Sequence, residues 1–153
     1  DFWAKSFIEI PDQEIEKRTG AGIPLIFEIE GEAGFRNRES SVLDELTRQS
    51  NLVLATGGGI ILSPANRKIL HERGIVVYPH APLETLLART RRDRQRPLLQ
   101  TADRRRTLED IVKAREPICR EAADMVIETS HRSPVSVARE IVHKLEALVK
   151  NEN

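Results

Sequence analysis

The stretch LVLATGGG at residues 52–59 decides the fold. Its first five residues are a short apolar run of the kind that forms a strand buried inside a parallel sheet. The run passes directly into three glycines, and a helix then begins with Ser63 as its N-cap, Pro64 at its first position and Gly74 just past its end. A strand, a glycine turn and a helix in this order predict one unit of an α/β domain.

The sequence on both sides repeats this alternation of strands and helices. Two more apolar runs, IVVYP at 75–79 and DMVIET at 124–129, each precede a helical pattern, and a shorter strand is predicted at residues 7–10. Strands that alternate with helices predict a three-layer α/β/α architecture with a parallel sheet. The chain has no linker or low-complexity tract, so we expect a single domain over residues 1–153.

Two helices are predicted between the first strand and LVLAT. Asp12 is the predicted N-cap of the first helix, and Gly20 ends it. A second helical pattern begins after Pro24. We expect a break in it at Gly31 or Gly34, because glycine is unfavourable inside a helix.

The composition is that of a globular protein without net charge. Hydrophobic residues make up 39% and charged residues 31%, and 24 Lys and Arg balance 24 Asp and Glu. This balance argues against a protein that coats nucleic acid or a membrane, and no apolar run reaches the ~20 residues that span a bilayer. Cys119 is the single cysteine, so no disulfide can form within the chain, and we expect a cytoplasmic protein.

One segment is strongly basic despite the overall balance. The stretch ARTRRDRQRPLLQTADRRR at 88–106 contains only two acids, Asp93 and Asp103. Such a loop on a neutral protein suits a small polyanionic ligand better than a long duplex. A solvated charged loop without a ligand is the alternative.

The TGGG turn at 56–59 is a candidate binding loop. Ligands of open parallel sheets collect at the carboxyl ends of the strands. Three glycines there allow positive φ angles and close approach of a ligand to backbone amides. A tight turn without a ligand explains the same residues. The turn is neither a Walker A motif nor a dinucleotide fingerprint, because the spacing of both is absent.

Arginines are the other candidate binding residues. Arg36, at a predicted helix start, is able to grip a carboxylate through two parallel hydrogen bonds. Its alternative is a surface ion-pair network with Arg38 and Glu39. Arg96 and Arg115, each close to a proline, are ambiguous when taken alone. The four histidines lack the spacing of metal ligands, so they predict no metal site.

Taken together, these segments resemble the shikimate kinases. The resemblance covers nearly the whole chain from Phe7 onward, with the segments in the family's order. The matching segments are DQEIEKRTG at 12–20, IFEIEGEAGFRNRE at 26–39, VLATGGG at 53–59, RGIVVY at 73–78, LARTRRDRQRPLL at 87–99, REPICREAAD at 115–124 and ETSHRSPVSVA at 128–138.

The resemblance implies the fold of the nucleoside monophosphate kinases, which are P-loop proteins. The substrate-binding region corresponds to about residues 12–60 and a mobile lid to about residues 91–106. The implied activity is transfer of the γ-phosphoryl group of ATP, accompanied by Mg²⁺, to the 3-hydroxyl of shikimate, on the route to aromatic amino acids. Shikimate and ATP would be the partners of a monomer, with no nucleic acid or membrane involved.

The resemblance also implies roles for individual residues. Asp12 would hold hydroxyls of the shikimate ring, and Arg36 and Arg115 would clamp its carboxylate. Gly58 and Gly59 would contact the substrate through backbone amides.

The remaining implied roles concern ATP. Arg96, in the lid, would reach the phosphates and act in catalysis, since phosphoryl transfer depends on positioning and charge neutralisation. Arg132 and Pro134 match the loop that packs against adenine.

The amino-terminal residues depart from the family pattern. Only DFWAKS precedes the first matching residue, without the strand and G-x-x-x-x-G-K-S/T loop with which the family begins. We therefore expect the sequence to be an incomplete chain. In addition, Ile10 stands where the family has the first of two aspartates separated by one residue. The alternative function is therefore a catalytically inactive, shikimate-kinase-like domain that senses a ligand for a transcriptional regulator.

Overall fold

The chain folds as strands that alternate with one or two helices. The computed structural model describes residues 7–91 and 99–151. Its strands are β1 (Phe7–Glu9), β2 (Leu52–Leu54), β3 (Val77–His80) and β4 (Met125–Glu128). Its helices are α1 (Pro11–Thr19), α2 (Ile23–Leu46), α3 (Pro64–Arg73), α4 (Leu83–Thr90), α5 (Arg104–Ala122) and α6 (Pro134–Asn151), with a 3₁₀ turn at Ile60–Leu62.

The four strands form two parallel pairs. β1 pairs with β2, with Phe7 opposite Leu52, and β3 pairs with β4, with Val77 opposite Met125. Within residues 7–91 and 99–151 the two pairs share no ladder. Each pair is closed by a crossover of two helices, because parallel strands cannot be joined by a tight turn. The predicted α/β class with parallel strands is confirmed, and the chain is built from two β-α-α-β units.

Asp12 is not the N-cap of α1, so that prediction was wrong. The helix begins one residue earlier, at Pro11, and Ile10 takes the cap position with extended φ and ψ angles of −122° and 112°. Proline fixes a helical φ and lacks an N–H that would go unsatisfied in the first turn, so it suits the first position of a helix. Asp12 therefore lies inside the first turn, and Gly20 ends the helix in the left-handed conformation, as predicted.

The predicted break in α2 falls at Gly31. This residue has φ 70° and ψ −178°, a combination that is outside the helical region and essentially restricted to glycine. The helix is thus two helical pieces joined at one residue. The piece after the break buries Phe35, Val42, Leu43 and Leu46.

The main apolar cluster lies between the two helices of the first unit. Its buried members are Ile15, Ile23, Ile26, Phe35, Val42 and Leu46. The rings of Phe27 and Phe35 pack at a centroid distance of 4.8 Å across the break in α2. This cluster fixes α1 and both pieces of α2 against each other, and so fixes the polar side chains that project from them.

Several strand boundaries differ from the sequence prediction, and β3 is an example. β3 begins at Val77 rather than Ile75, because the amide of Val76 donates to the side chain of Asp124 at 2.7 Å and Ile75 is exposed. α5 begins at Arg104, since the side chain of Asp103 accepts a hydrogen bond from the Arg106 amide and caps the helix.

The predicted lid at about residues 91–106 is covered only in part. Its last three residues belong to α5. Residues 92–98, which include Arg96, lie outside the described residues. None of the helices in the described ranges is long and apolar enough to cross a membrane.

Replacing Gly31 with alanine should destabilise the protein. A Cβ atom at φ 70° and ψ −178° is strained whatever space surrounds it, and we expect a loss of about 1–3 kcal/mol in the free energy of unfolding. Gly74→Ala is the matched control, because Gly74 has an extended φ of −165° and a methyl group there would make only an ordinary contact of 3.9 Å. Urea unfolding of both variants checks this, and equal losses would contradict the argument.

Candidate functional site

The TGGG turn is glycine-rich because side chains lie flat against it. The glycines with positive φ in the described part of the chain are Gly20 and Gly31, so the expected positive φ angles at residues 57–59 do not occur. Instead, a methyl group on Gly59 would lie 2.2 Å from both terminal nitrogens of Arg36. A methyl group on Gly58 would lie 3.4 Å from Nη1 of Arg115. Glycine is required here because neighbouring side chains lie close to the backbone, and not because the backbone has positive φ angles.

Carboxylates border the same turn. A methyl group on Gly57 would lie 3.8 Å from Oε1 of Glu39 and 4.0 Å from Oδ2 of Asp12. Four charged side chains from three helices therefore converge on three consecutive glycines. Asp12 comes from α1, Arg36 and Glu39 come from α2, and Arg115 comes from α5.

Arg36 is held by two carboxylates on its own helix. Its Nη1 donates to Oε2 of Glu39 at 2.8 Å, and its Nη2 lies 3.4 Å from Oε1 of Glu32. Its side chain is 23% exposed, and its buried Nε has no hydrogen-bond partner among the described atoms. The ion pairing that the sequence suggested exists, but it belongs to a half-buried guanidinium that faces the glycine turn. Arg38 pairs separately, with Glu30.

Glu39 is the most deeply buried charged residue of the group. Its side chain is only 2% exposed. Burial raises the pKa of its carboxyl group above the ordinary value, while the hydrogen bond and charge of Arg36 act in the opposite direction. The charge of Asp12 raises this pKa further, and that of Arg115 lowers it. These couplings show that the four side chains form one electrostatic cluster.

Arg115 is the second arginine of the cluster. Burial, together with the positive charge of Arg36, lowers the pKa of its guanidinium from the usual high value. Arginine remains protonated in proteins in any case. Two half-buried guanidinium groups that repel each other across a glycine turn form a place where an anion is favoured.

Sequence reasoning named Glu39 only as an ion-pair partner and missed its burial. The helical spacing contained the signal. Glu39 stands four residues after Phe35 and three before Val42, so it lies on the apolar face of α2. A charged residue on such a face must be paired, because an unpaired buried charge is strongly unfavourable. The nearest arginine at helical spacing is Arg36.

A second polar group lies where β3 and β4 end. Nδ1 of His80 lies 2.7 Å from Oε2 of Glu128, and the other oxygen of Glu128 accepts hydrogen bonds from Ser130 and from the Thr129 amide. Hydrogen bonds from Ser130 and His80 lower the pKa of Glu128 to about 2. Arg89 of α4 donates to the carbonyl oxygen of Thr129 at 2.8 Å. These contacts fix the start of the loop that precedes α6.

The two loop residues predicted to meet ATP occupy different environments. Arg132 donates to the carbonyl oxygens of Glu128 at 3.0 Å and of Ser136 at 3.2 Å, and it also pairs with Glu140. Its guanidinium therefore ties the loop to the first turns of α6. Pro134 is the first residue of α6 and is exposed.

The described residues contain no group of three side chains that could hold a metal ion. His80, one of the four histidines, lies between two carboxylates, since its Nε2 is 3.3 Å from Oε1 of Glu116 and its Nδ1 is 2.7 Å from Oε2 of Glu128.

Comparisons with known proteins point to one family. A family model described as shikimate kinase matches residues 3–146. The chain is 53% identical over 130 residues to the shikimate kinase of Aromatoleum aromaticum, with 85% of this chain and 74% of the relative covered. It is 56% identical over 135 residues to the shikimate kinase of Burkholderia pseudomallei, with 88% and 73% covered.

A solved structure matches as well. The structure of the shikimate kinase from Acinetobacter baumannii in complex with shikimate superimposes with a TM-score of 0.86 at 47% sequence identity. The match covers 98% of this chain and 81% of that one.

The raised pKa of Glu39 predicts how stability depends on pH. Between the unfolded value of 4.5 and the higher native pKa, the folded protein keeps a proton that the unfolded chain has released, so the contribution of Glu39 to stability should fall as pH rises through this window. The variant Glu39→Gln lacks this dependence, so the stability of wild type relative to Glu39→Gln should fall over the same window. Urea unfolding from about pH 4 to about pH 8 measures the difference.

Glu28→Gln, the same change at an exposed position of α2, is the control for the altered charge. A difference between wild type and Glu39→Gln that grows in favour of wild type as pH rises would contradict the assignment.

Proposed function

The chain belongs to the shikimate kinase family, and we propose that it transfers the γ-phosphoryl group of ATP to the 3-hydroxyl of shikimate. One observation carries the proposal: Asp12, Arg36, Glu39 and Arg115 converge on the turn at residues 57–59. That turn follows β2, at the edge of a parallel pair where substrates of α/β proteins bind.

Arg36 and Arg115 supply the carboxylate clamp. Shikimate carries one carboxylate, and a guanidinium offers parallel N–H groups that match its two oxygens. Both arginines are half-buried, so their hydrogen bonds to an anion are screened less by water than those on an open surface. Glu39 serves as a positioning residue, because its hydrogen bond of 2.8 Å fixes the direction of the Arg36 guanidinium.

Asp12 and the glycine turn bind the hydroxyl groups of shikimate. A carboxylate accepts hydrogen bonds from hydroxyls, and the amides of Gly58 and Gly59 donate to them. Such contacts orient the ring so that its 3-hydroxyl faces the nucleotide, and orientation is the larger part of catalysis in phosphoryl transfer.

The nucleotide is bound by residues on the other side of the site. Arg132 and Pro134 shape the loop against which adenine packs, and Arg96 neutralises the charge of the phosphates as the transfer proceeds. In the reaction, the 3-hydroxyl oxygen forms a bond to the γ-phosphorus while the bond from that phosphorus to the β,γ-bridging oxygen breaks. ADP leaves, and the hydroxyl proton is released.

Mg²⁺ is proposed as the companion of ATP. Protein sites for Mg²⁺ usually combine one or two carboxylates with phosphate oxygens and water. Ile10 stands where the resemblance predicts the aspartate linked to this ion, and the described residues offer no group of three ligands. No step of the reaction is assigned to the ion. We further propose that the enzyme acts as a cytoplasmic monomer.

The proposed function predicts shikimate-dependent formation of ADP by the intact enzyme. Arg36→Ala and Arg115→Ala should each weaken shikimate binding by about 2–5 kcal/mol, because each truncation leaves a carboxylate partly unpaired in a half-buried site. Arg48→Ala removes an exposed arginine just beyond the end of α2, which pairs only with Asp44 in the described structure, and is the matched control. Calorimetric titration with shikimate measures the three affinities.

Unchanged affinity in Arg36→Ala and Arg115→Ala would contradict the clamp. Shikimate binding without ADP formation would favour the inactive sensing domain, and Ile10 is the observation that supports this second candidate.

The glycine turn predicts a contrast between two neighbouring positions. Gly59→Ala should weaken shikimate binding at least ~10-fold and also lower stability, because the methyl group would overlap the Arg36 guanidinium and push it away from its buried partner Glu39. Gly57→Ala adds a methyl group at ordinary contact distances of 3.8 and 4.0 Å and should have a smaller effect on binding. Titration with shikimate and urea unfolding of both variants check this, and a larger loss of affinity at Gly57 would contradict it.

A further inference from the structure

Arg36 has a second carboxylate partner whose role differs from that of Glu39. Nη1 bonds Glu39 at 2.8 Å, whereas Nη2 lies 3.4 Å from Oε1 of Glu32. The side chain of Glu39 is 2% exposed, while that of Glu32 is 48% exposed. One terminal nitrogen is thus held by a short buried bond and the other by a long contact open to water. A carboxylate that is half in water leaves such a contact at little cost.

Glu32 also acts on the second arginine of the clamp. Burial and the charge of Arg36 lower the pKa of the Arg115 guanidinium, and the charge of Glu32 is the first influence in the opposite direction, ahead of that of Glu39. The carboxylate of Glu32 therefore stabilises both positive charges that the proposed substrate carboxylate would meet.

The local backbone offers a simpler explanation for an acidic residue at position 32. Glu32 directly follows the break at Gly31, and an acidic residue in the first turn of a helical piece interacts favourably with the helix dipole. This reason accounts for a negative charge at the position. It does not account for the contact with Nη2 of Arg36 or for the influence on Arg115, which lies on α5.

The charges of the cluster support exchange of one carboxylate for another. Arg36 and Arg115 are balanced formally by Asp12 and Glu39, and Glu32 is one negative charge in excess. A substrate carboxylate entering beside all three acids would be repelled, whereas one that replaces Glu32 leaves the sum unchanged. A substrate carboxylate with two oxygens on a guanidinium also makes shorter bonds than a single contact of 3.4 Å.

We propose that Glu32 is a displaceable internal counter-ion, which neutralises the Arg36 and Arg115 clamp when substrate is absent and gives way to the substrate carboxylate. The inference rests on the proposed function, because it assumes that these two arginines bind that carboxylate. It makes Glu32 a residue that sets affinity, since binding free energy is the difference between the two carboxylates. It also disfavours uncharged analogues, which cannot replace the charge of Glu32.

The test compares Glu32→Gln with Glu28→Gln in the intact enzyme. Both variants remove one negative charge from an exposed position of α2, but Glu28 makes no ion pair within the described structure. Glu32→Gln should lower the Kd for shikimate about two- to five-fold, the range expected when one exposed ion pair no longer competes. The gain should shrink as salt is raised to ~0.5 M, because salt screens an exposed charge. Glu28→Gln should bind shikimate as the wild type does.

Three results would overturn the inference. If Glu32→Gln bound shikimate as the wild type does, Glu32 would be only a surface residue. If it bound shikimate more weakly, Glu32 would be a fixed support of Arg36. If Glu28→Gln tightened shikimate binding equally, the gain would come from the change in overall charge and not from the position of Glu32. A crystal structure of the shikimate complex in which Glu32 still lies within about 4 Å of Nη2 would show that it is not displaced.

Arg36→Ala separates this failure from failure of the proposed function. If Arg36→Ala does not weaken shikimate binding, the clamp itself is wrong and the counter-ion has no role. If Arg36→Ala weakens binding while Glu32→Gln fails to tighten it, the clamp stands and only the counter-ion is refuted.

Discussion

The buried ion pair between Arg36 and Glu39 is the interaction on which the site depends. Glu39 stands on the apolar face of α2 with only 2% of its side chain exposed, and a lone charge in that position would be strongly unfavourable. Its hydrogen bond with Arg36 therefore has to form, and it fixes one terminal nitrogen of the guanidinium. Buried pairs of this kind add little net stability, so the geometry of the guanidinium is their clearer consequence.

Once the guanidinium is fixed, the sequence of the turn after β2 is constrained. Arg36 lies so close to the backbone at Gly59 that a single added carbon would overlap its terminal nitrogens. The turn that first suggested a binding loop is thus shaped by a side chain from another element. Gly59 leaves room for the guanidinium of Arg36, and Gly58 lies beside that of Arg115.

Rules that act along the chain predicted the elements well. Ser63, Pro64 and Gly74 bound α3 as expected, and Gly31 breaks α2 because few other residues adopt its backbone angles. Asp12 was misjudged as a cap, since Pro11 competes for the helix start and local preference alone does not rank the two. The burial of Glu39 could have been predicted from its place on the apolar face of α2, whereas the influence of Glu32 on Arg115 depends on a helix that is distant in sequence. Only packing brings α2, α5 and the turn together.

Each of the two β-α-α-β units contributes one of the two arginines beside the glycine turn. Arg36 belongs to the first unit and Arg115 to the second, and α5 packs against the 3₁₀ turn that follows the glycines. A ligand that bound both arginines would therefore contact both units. Because it binds the assembled protein and not the unfolded chain, its free energy adds to the stability of the whole, by about 2.7 kcal/mol at a hundredfold excess over its Kd. The concentration of that ligand would then set part of the stability of the folded protein.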